Sequence, residues 1–109
     1  MTNLQNELAN WAEQKAQRIE ANDRLTVVRE IDHFATFRNK KDAEAAAADL
    51  SHAGFVVSLA RKGLFGVDLQ ATQSSDLSDS SVRSFLEIVL RAVMTNNGNY
   101  DGFGAPVVN

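Results

Sequence analysis

FVVSLARKGLFGVDLQA, residues 55–71, is the stretch that decides the fold. Two runs rich in β-branched and aromatic residues, Phe55–Ala60 and Phe65–Ala71, flank Lys62-Gly63, the pattern of a β-hairpin. The length of the turn sets which side chains share a face. A two-residue loop would pair Arg61 with Leu64 and put Asp68 on the face of Val57. An odd loop pairing Arg61 with Phe65 gathers Phe55, Val57, Leu59, Phe65, Val67 and Leu69 on one face. It leaves Ser58, Asp68 and Gln70 on the other. The odd loop is expected, because it buries six good strand residues together.

Helical patterns flank this hairpin on both sides. Upstream, Asn39 has the chemistry of an N-cap, with Asp42 in the first turn and Ala43, Ala46, Ala47 and Leu50 as an inner stripe. Gly54 is placed to end that helix in a left-handed conformation. Downstream, Asp76, Ser78 and Asp79 compete as the next N-cap. Val82, Phe85, Leu86, Val89, Leu90 and Val93 then repeat at helical spacing, the strongest periodic signal in the chain. Asn97-Gly98 closes it.

The outer segments complete the pattern. Val27–Phe37 reads as a strand, with Ile31, His33, Ala35 and Phe37 on one face and Glu30, Asp32, Phe34 and Thr36 on the other. Asn99-Tyr100-Asp101-Gly102-Phe103-Gly104 reads as a last strand, with Pro106 weakening its continuation. The N-terminus opens with a further helix. Thr2 to Gln5 has capping-box spacing, and Leu4, Leu8, Trp11, Ala12 and Ile19 form its stripe. Glu7, Glu13, Lys15, Gln17, Arg18 and Glu20 supply its wet face, and Asn22-Asp23 its stop.

After the first helix the order is β-α-β-β-α-β. Right-handed crossovers make this a ferredoxin-like split βαβ sandwich of the α+β class: two helices on one face of a four-stranded antiparallel sheet. Residues 1–24 form an additional N-terminal amphipathic helix, and residues 25–109 the sandwich domain. The other sheet face must meet water, the first helix or a partner.

Bulk composition narrows the function. The chain has 109 residues, room for one modest core, and a net charge of −3. No basic field exists to draw in DNA or RNA. The absence of cysteine excludes a disulfide framework and thiol chemistry, and fits a reducing cytoplasm. No apolar run approaches a membrane span, and no signal pattern opens the chain. Two histidines with no ligand spacing give no metal site, and no phosphate loop or nucleophile elbow is present. No catalytic residue, metal or cofactor is therefore expected.

Three features invite a functional reading, each with a plainer alternative. His33 is either a core-edge histidine or part of a recognition site oriented by Asp101. Phe34 and Phe103 either stack a ligand on the open sheet face or lie under Trp11 and Leu8. Asp101-Gly102 either makes a bulge with Tyr100 and Phe103 completing the core, or exposes backbone between aromatic anchors.

Ile31-Asp32-His33, the alanine-rich helix leading to Leu50-x-x-x-Gly54-Phe55-x-Val57, and Tyr100-Asp101-Gly102-Phe103-Gly104 together resemble the RraB-like family, regulators of ribonuclease E activity B. The resemblance runs from about Val28 to Val108. Family members usually carry tryptophan where this chain has Phe103. The likeness implies a ferredoxin-like fold and a cytoplasmic bacterial regulator without catalytic residues. The namesake inhibits ribonuclease E by binding its non-catalytic scaffold region. It is strongly acidic with an acidic tail, whereas this chain has net charge −3 and stops at Asn109, so inhibition that depends on acidity is expected to be weak or absent. The residues expected to bind a partner are His33, Phe34, Tyr100, Asp101, Gly102, Phe103 and Gly104, with ribonuclease E the first candidate partner. A small-molecule- or RNA-binding module using the open face, and a structural homodimer, stay open as alternatives.

Overall fold

Polar side chains start each helix. In a computed structural model, which describes residues 2–109, helix α1 spans Leu4–Glu20, α2 Lys40–His52 and α3 Asp79–Thr95. Asn39 caps α2 by accepting from the Asp42 amide at 2.8 Å, and Ser78 caps α3 by accepting from the Ser81 amide. Asn3, not Thr2, caps α1, through the Asn6 amide at 2.9 Å. The Thr2 hydroxyl donates instead to Glu7. Left-handed residues terminate the helices: Asn22 and Asn97 at φ 60° and Gly54 at φ 96°.

Strands β1 (Arg29–Phe37), β2 (Val56–Lys62), β3 (Gly66–Ser75) and β4 (Asn99–Gly104) form one sheet in the order β2-β3-β1-β4. β1 runs antiparallel to both β3 and β4, and β2 antiparallel to β3. β1 and β2, joined through α2, are therefore parallel with β3 inserted between them. The protein is α+β, with α2 and α3 packed on one sheet face. Ile31, Ala35 and Phe37 of β1, Val67, Leu69 and Ala71 of β3, and Ala43, Ala46 and Leu50 of α2 share one core with Val82, Phe85, Leu86, Val89, Leu90 and Val93 of α3. The alanines permit the close approach of α2. Gly98 does the same for β4, since a Cβ there would lie 2.4 Å from the Phe37 ring.

The hairpin register departs from expectation. Arg61 pairs with Val67 and Lys62 with Gly66, so the loop is the three residues Gly63-Leu64-Phe65. Its odd length is as expected, and the faces follow. The pairing has slipped by two residues, however, and Phe65 and Leu64 stand in the loop 79% and 77% exposed. Gly66 explains the slip. A Cβ there would lie 2.7 Å from the Lys62 carbonyl oxygen, so only glycine can open β3 opposite Lys62. Gly63, at φ 66°, supplies the left-handed turn residue. β2 is an edge strand and mostly exposed, with Leu59 only partly covered.

The first helix is stitched to the rest of the chain. Trp11 is buried in the core, and Leu4 and Leu8 pack against it. The Trp11 Nε1–H donates to Asp79 at 3.1 Å, and Lys15 pairs with the same carboxylate at 3.0 Å. Ile19, expected in the stripe, is 56% exposed, while Glu7 and Arg18, expected on the wet face, are buried. The reason lies below the helix end. There Asp23 accepts from Arg18 at 2.9 Å and Arg29 at 2.6 Å, with all three side chains nearly closed to solvent. The two guanidinium groups also donate to the carbonyls of Ala105 and Pro106, each at 3.0 Å. Burial raises the Asp23 carboxyl, but hydrogen bonds from Arg29, Arg18 and the Val108 amide outweigh it and hold it below the usual range.

Candidate functional site

Tyr100 and Phe103 are three residues apart, so regular alternation would put them on opposite sheet faces. A bulge defeats the alternation. Phe34 pairs with Gly102, but Ala35 pairs with Tyr100, leaving Asp101 as the extra residue. Gly102, at φ 113°, takes the left-handed conformation the bulge needs. Both aromatics therefore face the helices.

There they surround His33, which is 0% exposed. Its ring lies 5.0 Å from that of Phe85, 5.7 Å from Phe55 and Phe103, and 6.0 Å from Tyr100. Phe103 stacks edge-on against Phe85 at 5.1 Å and reaches Trp11 of α1 at 6.1 Å. Polar contacts fix the imidazole. Gln73 Oε1, an obligate acceptor, takes the Nε2–H at 3.1 Å, which leaves Nδ1 to accept from the Tyr100 hydroxyl at 2.9 Å. Asp101 does not orient His33, contrary to the recognition reading. It is exposed, and Tyr100 and Gln73 hold the ring instead.

The electrostatics follow from burial. Desolvation holds the His33 imidazole down to about 4, outweighing the opposing Gln73 hydrogen bond and the Asp32 charge. Desolvation, and then the negative charge of Glu7, push the Tyr100 phenol above its usual range. Both groups are neutral and locked near neutral pH, which suits a structural centre rather than proton transfer. Among the described residues, no group of three or more histidine and carboxylate side chains is placed to hold a metal ion.

The seven expected site residues thus divide in two. His33 and Tyr100 are buried and Phe103 is half-covered, all beneath the sheet. Phe34, Asp101, Gly102 and Gly104 belong to the outer side of β1 and β4, and Phe34 is 42% exposed. Only Phe34 of the two proposed stacking aromatics therefore lies on the open face. Its neighbours there are Ser58 and Ala60 of β2 and Asp68 and Gln70 of β3, with Thr36 and Asp101 at the side. Glu30, Asp32, Asp68 and Asp101 make this face acidic, and Lys62 lies 3.9 Å from Asp68. The acidic character could be read from alternation in β1 and β3. The place of Asp101 could not, because it depends on the bulge.

A second surface was not legible in the sequence. A groove lies beside β4, walled by Thr2, Asn6, Glu7, Asn10 and Gln14 of the N-terminal segment and by Tyr100–Phe103. The spacing of Asn6, Asn10 and Gln14 puts three amides on one helix face, a signal that has meaning only once α1 is placed.

No helix among the described residues is long and apolar enough to cross a membrane. No curated protein matches the chain. The sequence pattern of one regulatory family does, over residues 12–105, from the Ala12 turn of α1 to the carbonyl of Ala105 that Arg18 holds. With nearly the whole α+β domain covered, including the His33 cluster and the bulged β4, the chain belongs to the RraB family, the regulators of ribonuclease activity B.

Proposed function

We propose that this protein is a non-enzymatic regulator that modulates RNA decay by binding a ribonuclease, with ribonuclease E the first candidate and its non-catalytic scaffold the region bound. The observation that carries this reading is the family match over residues 12–105. The β-α-β-β-α-β order and the placement of β3 between β1 and β2 fit a ferredoxin-like sandwich, whose uncovered sheet face is a common binding platform. A cytoplasmic bacterial regulator is the setting this implies.

The surface we assign to the partner is the outer side of β1 and β4: Phe34, Asp101, Gly102 and Gly104. His33, Tyr100 and Phe103 support it from beneath by holding the bulge. Its acidity argues for protein over RNA, because stacking platforms for RNA need cations to follow the phosphates. The test is binding of the purified protein to ribonuclease E, with cleavage of a structured RNA as the readout. Binding and slowed cleavage are expected, both weakened by Phe34→Ala. A folded parent protein that neither binds nor alters cleavage rejects the reading.

The homodimer reading keeps one observation in its favour. Val56, Leu59, Leu64 and Phe65 expose apolar surface along the β2 edge and hairpin tip. Sedimentation showing a monomer at high concentration removes it.

A further inference from the structure

β4 closes one edge of the sheet, so half of its backbone groups point away from β1. Among the described residues none of those groups finds a partner. The backbone hydrogen bonds made outside helices and strands include none from residues 99–104, and no side chain bonds to their backbone. Most proteins blunt such an edge with a proline, a lysine or a covering segment. Here Asn99–Gly104 carries no lysine or proline; its one bulge sits at Asp101, and Gly102 and Gly104 beyond it have open space where a Cβ would sit. α1 does not cover the edge. It packs Trp11 against Phe103 and forms the other wall of the groove that Asn6, Glu7, Asn10 and Gln14 share with Tyr100–Phe103.

A free strand edge facing a helix across a groove is the geometry that accepts an added strand. The groove lining settles the chemistry of the occupant. It holds two carboxylates, Glu7 and Asp101, and no cation. The amides of Asn6 and Asn10 offer further acceptors and donors along the same wall, while the Gln14 oxygen already accepts from Arg18 at 2.7 Å.

We infer that β4 takes up an extended, basic segment of a partner protein as a fifth strand. This rests on the reading of the protein as a protein-binding regulator and narrows it to one edge. Main-chain hydrogen bonds to β4 supply the affinity, and lysine or arginine side chains directed at the exposed Asp101, with the buried Glu7 adding negative charge in the wall behind, supply the selectivity. The alternate side chains lie over Gly102 and Gly104, where no side chain opposes them. β4 has six residues, which gives the added strand a length of about 20 Å.

The test uses a short, fluorescently labelled peptide of alternating lysine and valine, its glutamate-valine counterpart, and a lysine-valine version N-methylated at alternate backbone positions. Binding is followed by fluorescence anisotropy, and the contact is mapped by amide exchange. The lysine peptide is expected to bind at least about tenfold more tightly than the glutamate one. N-methylation should abolish binding, and the outward amides of residues 99–104 should gain protection. Asn10→Trp fills the groove from an exposed position of α1, and Asp101→Lys reverses one charge on the exposed bulge. Both variants should fold, as checked by thermal melting, and both should lose binding about tenfold or more. Equal affinity for the N-methylated peptide, unchanged binding in both variants, or protection mapping to β2 instead of β4 overturns the inference. If ribonuclease binding survives both substitutions, the edge is wrong and the regulatory reading stands. If the peptide binds at β4 but no ribonuclease does, the regulatory reading is wrong and the edge stands.

Discussion

Acid should weaken this fold well above the range in which carboxylates titrate, and His33 is the reason. In the folded protein, burial among Phe55, Phe85, Tyr100 and Phe103 holds the imidazole at about 4, against 6.5 in the unfolded chain. The unfolded chain therefore takes up the proton first. Stability is flat above about pH 7, falls as pH drops through 6.5, and has lost the full contribution near 4. The gap between the two values corresponds to about 3 kcal/mol, of which about 2 kcal/mol is gone by about pH 5. With a urea dependence of about 2 kcal/mol per molar, the unfolding midpoint should drop by about 1 M between neutral pH and about pH 5. The assay is urea denaturation across that range, paired with an NMR titration of the His33 ring protons in the native state. A native-state His33 titrating near 6.5, or a urea midpoint that stays level down to about pH 5, would refute the account of a neutral, caged imidazole.

Four further outcomes follow from the packing and the ion network. Asp23→Asn should cost about 3–5 kcal/mol by leaving the Arg18 and Arg29 guanidinium groups buried without a counter-charge, read as a lowered urea midpoint. Leu86→Ala should cost about 2–5 kcal/mol, since Leu86 is fully buried in α3; a loss under about 1 kcal/mol in the same assay would be incompatible with that position. Gly98→Ala should destabilise by about 1–3 kcal/mol through overlap with the Phe37 ring, and Phe37→Leu in the same chain should recover part of it in thermal melts. Amides of Leu4–Glu20 should exchange slowly, because α1 is held by Trp11, Lys15 and the Asp23 network; free exchange along the helix would contradict that docking.

Local chemistry made much of this architecture legible. Asn39, Gly54 and the α3 stripe from Val82 to Val93 carry their signals within a few residues, so caps and inner faces follow from spacing. The hairpin shows where spacing stops being sufficient. Leu64 and Phe65 have good strand chemistry, but the contact that excludes them from β3 is between Gly66 and the Lys62 carbonyl, visible only in three dimensions. The Arg18-Asp23-Arg29 network was hidden for a different reason. Charged residues belong on the surface by default, and nothing local marks two arginines whose acceptors include carbonyls near the far end of the chain. At the candidate site, the pattern Tyr100 to Gly104 was conspicuous, yet one extra residue in the strand decides which side chains face out. Phe34 and Asp101 emerge on the open side, while His33, Tyr100 and Phe103 are drawn inward.

The threading of β1 between β3 and β4 has a kinetic consequence. The β2–β3 hairpin and α2 join neighbours in sequence, so they can form early. The second edge of β1 closes only when Asp32 meets Gly104, a contact between distant parts of the chain. β4 should therefore dock after the main folding barrier, and its interactions should govern how fast the native state opens rather than how fast it forms. Phe103→Ala would then raise the unfolding rate and leave the refolding rate nearly unchanged, whereas Val67→Ala, in the β2–β3 hairpin, would slow refolding.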